Sequence, residues 1–272
     1  MPAERSAVYA AKYFNQYPLR TFFRRLYNLH HTRRFEWLQG KIASLGKREL
    51  SILELGCNDA RSLDYVPVPV KRYVGLDAGW RSGWKDGKAC GLEAAILRYG
   101  GRPNYEFRRS QRCEDLEQVS GKFDLAIVLE TFEYLEPTAM VDYVNALSRK
   151  LHDHGSILST MPNEKGVPLL VKTVGSRLSG VPRSGYTPRQ FWNALIGRMD
   201  KVPRGLRGRR GFDYAATAEL IGRYFSRTEL DSVEPARAPL WLSLNVGLAA
   251  HKGEAAAPTA PELPSTSKPG GG

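Results

Sequence analysis

The chain has 272 residues and a net charge of +12, from 40 Lys and Arg against 28 Asp and Glu. With 42% hydrophobic and 25% charged residues, it has the composition of a globular protein. Three cysteines without a CxxC pair exclude a disulfide framework and a cysteine-based zinc site, and they fit a reducing cytosol. The longest apolar stretch, residues 239–250, is too short for a membrane span, and the first residues lack the apolar core of a signal peptide. We therefore expect a cytoplasmic protein.

The positive charge is concentrated in two segments. Residues 1–48 and residues 164–214 each carry a net charge of +8. Residues 49–163 are mildly acidic at −3, and residues 215–272 sum to −1. This asymmetry indicates an anionic partner, such as nucleic acid, a phosphorylated substrate or a membrane surface. The alternative is that the charge serves solubility alone.

The N-terminal segment, residues 1–48, is predicted to form basic helices. Residues 6–17 have a helical pattern that Pro18 ends. A second pattern, with apolar residues three and four apart, runs from residue 19 to residue 45, and the polar run that begins near His31 predicts a break into two helices. Gly46 suits the end of the last helix. We expect this segment to cap the acceptor side of the protein.

From residue 49 the pattern changes to short apolar strands that alternate with helices. Strands are predicted at residues 50–55, 71–77, 104–108, 123–130 and 156–161. Helices are predicted between them, at residues 91–99 and 137–151. This alternation predicts a parallel α/β sheet.

The C-terminal part contains an insertion, a hairpin and a tail. An irregular basic stretch forms an insertion at residues 164–214. A helix at 214–225 and two strands between residues 226 and 251 then predict a terminal hairpin. Residues 253–272 contain almost no large apolar side chain, so we expect them to be a disordered tail. The rest fits one domain, residues 49–252, preceded by the N-terminal helices.

A glycine turn follows the first strand of the predicted sheet. The stretch Glu54-Leu-Gly-Cys-Asn-Asp-Ala60 places backbone N–H groups at the carboxyl edge of the sheet, where nucleotides bind. Asp77 ends the next strand, where a carboxylate can accept hydrogen bonds from both ribose hydroxyls. The dinucleotide pattern G-x-G-x-x-G is not met, because Asn58 and Arg61 occupy the later glycine positions. A cofactor with a pyrophosphate group is therefore disfavoured.

Four stretches, in their order and spacing, resemble the class I S-adenosylmethionine (SAM)-dependent methyltransferases of the small-molecule type. Residues 54–60 match the first motif, roughly E/D-x-G-x-G-x-G, and Asp77 matches the acid that holds the ribose. Residues 123–134 match the fourth-strand stretch, and residues 151–163 match the closing stretch with its Pro-Asn pair. The resemblance implies methyl transfer from SAM. It also implies an α/β fold with a Rossmann-like, mostly parallel seven-stranded sheet, flanking helices and an antiparallel C-terminal hairpin.

The resemblance also implies the residues of the site. The implied cofactor-binding residues are Glu54, Gly56, Cys57, Asn58, Ala60, Asp77, Cys113, Glu114 and Glu130. Tyr134 stands where the family often has a histidine, and it is the candidate catalytic residue. Only the first of the three motif glycines is present, since Asn58 and Ala60 replace the other two. Cys113 and Glu114 stand where the family contacts the adenine.

The acceptor is expected to meet the two basic segments. The loop at residues 201–211 has five basic residues and no acid, and an arginine can hold a phosphate or carboxylate through two parallel hydrogen bonds. The candidate substrate-binding residues are Arg207, Arg209 and Arg210. Residues 20–37 mix aromatic residues with arginines, as helices at membrane interfaces do, although their apolar side can equally pack on the core.

These features predict a methyltransferase for a small-molecule or lipid-linked, anionic acceptor, with peripheral contact to an anionic membrane and without a metal. The motifs of enzymes that methylate base amines or cytosine C5 are absent, because residues 130–133 read Glu-Thr-Phe-Glu and no Pro-Cys pair occurs. RNA methylation at other positions needs neither motif. An RNA methyltransferase and a non-catalytic SAM-binding protein are therefore the alternatives.

Overall fold

A seven-stranded sheet forms the centre of the protein. A computed structural model describes residues 20–80, 82–85, 87–178, 185–205 and 208–253. The strands are β1 (Leu50–Leu55), β2 (Val70–Asp77), β3 (Gly83–Lys85), β4 (Lys88–Cys90), β5 (Tyr105–Arg109), β6 (Phe123–Leu129), β7 (Leu151–Pro162), β8 (Arg227–Glu234) and β9 (Asn245–His251). The short strands β3 and β4 form a separate antiparallel hairpin.

Helices cover both faces of this sheet. They are α1 (Arg20–Ser44), α2 (Leu92–Tyr99), α3 (Cys113–Glu117), α4 (Pro137–Lys150), α5 (Gly166–Leu178), α6 (Pro188–Leu195) and α7 (Tyr214–Gly222). Helices α1 and α2 contribute to the core on one face, and α3, α4 and α7 contribute to the core on the other. None of the helices in the described residues is both long and apolar enough to cross a membrane.

The strand order is β5-β2-β1-β6-β7-β9-β8. Strands β5, β2, β1, β6 and β7 are parallel, whereas β9 is antiparallel to β7 and to β8. This topology confirms the predicted mostly parallel sheet with its antiparallel C-terminal hairpin. Strand β6 is almost entirely apolar because both of its faces are covered, which is typical of a central parallel strand.

Helix α1 is a layer of the fold. Phe35, Leu38 and Ile42 recur at helical spacing and are buried in the core against the sheet. On the flank of the same helix, the Trp37 indole donates a hydrogen bond to Asp231 (3.0 Å), and Lys41 pairs with the same carboxylate at 2.8 Å. These contacts fix α1 across the C-terminal hairpin.

Helix α1 and strand β7 differ from the elements that the sequence predicts. The predicted break near His31 is wrong, since α1 runs unbroken from residue 20 to residue 44. A polar run without proline or glycine removes the apolar stripe but does not prevent helical hydrogen bonds. Strand β7 begins at Leu151 rather than at Ser156, so His152 and His154 are exposed residues of this strand. The predicted helix at residues 6–17 lies outside the described residues.

The basic insertion is not irregular throughout, as the sequence predicted. It contains α5, α6 and a 3₁₀ turn at Met199–Lys201, which share a small core of Leu169, Ala194, Met199 and Val202. Thr187 caps α6 by accepting a hydrogen bond from the backbone of Gln190, whose side chain accepts from the backbone N–H of Thr187 in return.

Candidate functional site

A cleft of about 530 Å³ opens at the carboxyl ends of β1, β2, β5 and β6. Strand β2, which follows β1 in the chain, lies on one side of β1 in the sheet, and β6 lies on its other side. The strand order therefore reverses beside β1. In open α/β sheets such a reversal leaves a crevice in which ligands bind. The volume is in the range of small-molecule and cofactor pockets, roughly 300–1,000 Å³.

The turn after β1 has an unusual backbone. Gly56 has φ of +76°, and a Cβ at this position would lie 2.1 Å from the Thr131 Oγ1, so only glycine fits. Asn58 and Ala60 also have positive φ, at +49° and +50°. These two residues occupy positions that are glycine in the family that the sequence resembles. The backbone therefore has a positive φ at all three positions, although only the first of them is a glycine.

Asp77 faces this turn from the end of β2. One of its carboxylate oxygens accepts a hydrogen bond from the backbone N–H of Asn58 at 2.9 Å, and the other accepts from that of Gly79 at 2.7 Å. An ionised carboxylate has about four acceptor positions, so each oxygen can accept one bond more. Asp77 thus holds the turn and still has capacity for two hydroxyl donors in the cleft.

Glu54 lies deeper in the same cleft and is almost completely buried. Its carboxylate accepts hydrogen bonds from the Ser62 hydroxyl and from the Tyr73 hydroxyl, the latter at 2.6 Å. Burial raises the pKa of Glu54 to about 7, against the effect of these two donors. The residue ties β1 to the 3₁₀ turn at Arg61–Tyr65 and to β2.

Aromatic and acidic residues from the end of β6 form the opposite wall. Glu130, Thr131 and Tyr134 line the cleft, and Glu130 has a left-handed backbone with φ of +49°. The Tyr134 ring meets the Trp80 ring edge-to-face, with centroids 6.2 Å apart. Because Trp80 follows β2, this pair joins the two walls.

Glu133 is a buried carboxyl group directly behind this wall. It has no exposed surface, and neither of its oxygens has a hydrogen-bond partner among the described residues. Arg209 reaches it at 3.5 Å and reaches Glu130 at 2.9 Å. Burial, with a further contribution from the Glu130 charge, raises the pKa of Glu133 to about 8 against the effect of Arg209. One guanidinium thus neutralises Glu130, while Glu133 keeps its proton at neutral pH.

The basic loop is tied to the turn after β6. Arg204 donates hydrogen bonds to the carbonyl oxygens of Phe132, Glu133 and Leu135, at 3.3, 2.9 and 3.1 Å. Arg210 donates to the carbonyl oxygen of Gly185, and Arg209 forms the ion pairs above. These arginines bind protein groups, and Arg207 lies outside the described residues.

The cleft brings together most of the residues that the sequence predicts for the site. The predicted residues that line it are Glu54, Gly56, Cys57, Asn58, Asp77, Glu130, Tyr134 and Arg209. Ala60 is fully buried next to the lining residues, Cys113 packs against the core, and Glu114 is exposed. Beside β5, the residues that line the cleft are Ser110 and Gln111.

Several cleft residues escape sequence reasoning. Four of them follow a strand by one to three residues: Trp80, Ser110, Gln111 and Thr131. This position after a strand is the sequence signal that could have identified them. Arg34 lines the cleft from α1, and its Nε is buried without a hydrogen-bond partner. Its guanidinium carbon lies 4.8 Å from the centroid of the Phe35 ring. Nothing in the helical pattern distinguishes Arg34 from the other arginines of α1.

Solved structures share this architecture. The magnesium protoporphyrin IX methyltransferase of Synechocystis PCC 6803, crystallised with bound SAH, superposes with a TM-score of 0.53 and 13% identity over 91% of this chain and 94% of that chain. The chain has the methyltransferase fold. A possible exported protein from Bordetella parapertussis also has a TM-score of 0.53, with 14% identity over 93% of this chain and 80% of that chain.

These likenesses confirm the fold that the sequence resemblance implies. No protein-family model matches the chain, and no curated protein matches it. At 13–14% identity a structural likeness concerns the fold. The chemistry has to be argued from the cleft itself.

Proposed function

We propose that this chain is a SAM-dependent methyltransferase that acts on a small-molecule acceptor. The observation that carries the proposal is the pairing of the left-handed turn at residues 56–60 with the Asp77 carboxylate across the strand-order reversal. The cofactor is supported by this geometry and by the SAH bound to the Synechocystis enzyme of the same fold.

From the strand order we propose which part of SAM each part of the cleft contacts. Ser110 and Gln111, beside β5, border the adenine, and Asp77 on β2 accepts hydrogen bonds from the ribose hydroxyls. The turn after β1 lies against the amino-acid part. Glu130 and Tyr134, at the end of β6, border the reacting centre.

The acceptor is proposed to enter between the aromatic pair and α1. Arg34 has an unpartnered Nε in the cleft wall, which favours an acceptor with an anionic group. Arg209 is less suited to this role, because its charge is already paired with Glu130. Tyr134 can orient a nucleophile through its hydroxyl, which both donates and accepts hydrogen bonds.

Positioning dominates the chemistry that this site has to perform. SAM supplies an activated methyl group when bound. The chain has to hold the nucleophile in line, within about 3–3.5 Å of the methyl carbon, and to exclude water. Trp80 and Tyr134 supply apolar surface to the cleft, and the neutral Glu133 adds no charge next to it.

The test is calorimetry followed by methyl transfer. We expect SAM and SAH to bind the purified chain, and NAD to show no binding. We then expect tritium from methyl-labelled SAM to enter the small-molecule fraction of a cell extract. Label in the RNA fraction alone would support the RNA alternative, SAM binding without label transfer would support a non-catalytic binding protein, and no SAM binding would refute the proposal.

A further inference from the structure

Helix α5 turns an aliphatic face away from the protein. Val167, Leu170, Val171 and Val174 recur three and four residues apart, so they share one side of the helix, and they are 42–51% exposed. The other side is anchored, since Leu169 is fully buried in the small core. An ordinary surface helix has the reverse arrangement, with its apolar side inward.

The neighbouring helix extends this face. Trp192 on α6 and Ile196, directly after its last residue, lie four residues apart and are 61% and 48% exposed. Helix α6 packs on α5 through the small core. Trp241, also 61% exposed, lies in a 3₁₀ turn that contacts α5. We call the described residues from 164 to 202 the α5–α6 lobe.

Exposed cations lie in the same lobe as the apolar face. Arg177, Arg189, Arg198 and Lys201 are exposed in the lobe, and within the described part of the chain none of them forms an ion pair. The one exposed acid of the lobe is Asp200. Exposed aliphatic residues, an exposed tryptophan and exposed cations together are the composition of a helix that lies in a membrane interface.

We propose that the α5–α6 lobe docks on an anionic lipid bilayer. The aliphatic face would enter the boundary between headgroups and acyl chains, Trp192 would lie at the headgroup level, and the four cations would meet anionic lipids. A second copy of the chain fits this face less well, because the cations of two lobes would repel each other. The docking does not depend on the proposed methyl transfer.

The surface differs from the one that the sequence predicts. The sequence placed the membrane contact on residues 20–37. Phe35 of that segment is buried against Tyr65, with the two rings stacked 5.0 Å apart, and the side chains of residues 20–31 lie outside those that the structure describes. The exposed apolar residues on the α5–α6 lobe carry the proposal instead.

The experiment is co-sedimentation of the full chain with vesicles of 30% phosphatidylserine in phosphatidylcholine, and with phosphatidylcholine alone. We expect binding to the anionic vesicles at low salt, a large loss at high salt and little binding to the neutral vesicles. The double variant Val171→Glu/Val174→Glu should bind at least about tenfold more weakly. Arg189→Glu/Arg198→Glu should show a loss of about tenfold or more, since each cation near a charged bilayer contributes severalfold.

The matched control is Ile96→Glu/Leu97→Glu on α2, which also replaces two exposed aliphatic residues. This control should bind vesicles like the unmodified chain. An unmodified chain that fails to bind anionic vesicles at low salt overturns the proposal, as does an equal loss in the control. Concentration-dependent dimers that Val171→Glu/Val174→Glu abolishes, without vesicle binding, would assign the face to self-association. SAM calorimetry on the same variants keeps these outcomes separate from the proposed function.

Discussion

The turn after β1 and Arg209 of the basic loop meet at the same cleft, but the polar groups of the turn and of the loop are used differently. In the turn, Asp77 accepts two backbone hydrogen bonds and keeps capacity for two more. In the loop, Arg209 is paired with Glu130, and Arg204 holds three carbonyl oxygens. The turn therefore has the properties of a ligand site, whereas the loop has those of a structural clamp.

The comparison shows what a charge count leaves out. The insertion at residues 164–214 has a net charge of +8, but those of its arginines that the structure describes fall into two groups. Those of the loop bind protein groups, and those of the α5–α6 lobe are exposed. Among these described arginines, the second group is the one available to an anionic partner.

The largest expected effect is on SAM binding by Asp77→Ala. Loss of two hydrogen bonds to a charged acceptor, each contributing about 1.5–3 kcal/mol, should weaken SAM binding at least about 100-fold. Calorimetry measures the affinity, and thermal unfolding checks that the turn still folds. Glu117→Ala, at an exposed acid of α3, is the control and should bind SAM normally. If Asp77→Ala bound SAM with the wild-type affinity, the turn after β1 would not be the ligand site.

Arg209→Ala should have the opposite profile. Removing the guanidinium leaves the Glu130 carboxylate, whose side chain is 7% exposed, without its counter-charge, so the free energy of unfolding should fall by about 3 kcal/mol. SAM affinity of the folded variant should stay near the wild-type value. Denaturant titration and calorimetry give the two quantities, with Arg210→Ala as the milder control. A loss of SAM affinity at unchanged stability would make Arg209 a ligand residue after all.

The third prediction concerns pH and Glu133. Its pKa is about 8 in the folded chain and near the usual 4.5 when unfolded. Between these values only the unfolded chain gives up the proton, so this group lowers stability as the pH rises, by about 1.4 kcal/mol per unit at most. The free energy of unfolding of Glu133→Gln, minus that of the wild type, should therefore increase from pH 5 to pH 8. A constant difference across that range would mean that Glu133 is ionised beside Arg209.

The smallest expected effect concerns Asn58, which has a left-handed backbone. Asparagine tolerates this conformation better than most residues, so Asn58→Gly should change stability little. Asn58→Ala should cost about 1 kcal/mol, because alanine keeps the Cβ that is crowded in this conformation but lacks the short polar side chain that lets asparagine adopt it. Thermal unfolding compares the two. Equal stability of the glycine and alanine variants would show that the turn is not held in this conformation in solution.

The sheet could be predicted from sequence because its signal is local. The apolar run of β6 and the position of Asp77 directly after an apolar strand both lie within a few residues, and each led to a correct element. The clamp could not be predicted in this way, since Arg209 and Glu130 are 79 residues apart in the chain. Helix α5 was missed because Gly166, Pro168 and Gly175 suggest a loop, and because its apolar residues face outward.

The measurement that tests the account most directly is a crystal structure of the chain with SAH. We expect the ribose hydroxyls within hydrogen-bond distance of the Asp77 carboxylate, the adenine beside Ser110 and Gln111, and Arg209 still paired with Glu130. SAH bound at another place would contradict the division between a ligand site and a structural clamp. So would an Arg209 that has left Glu130 and pairs with SAH.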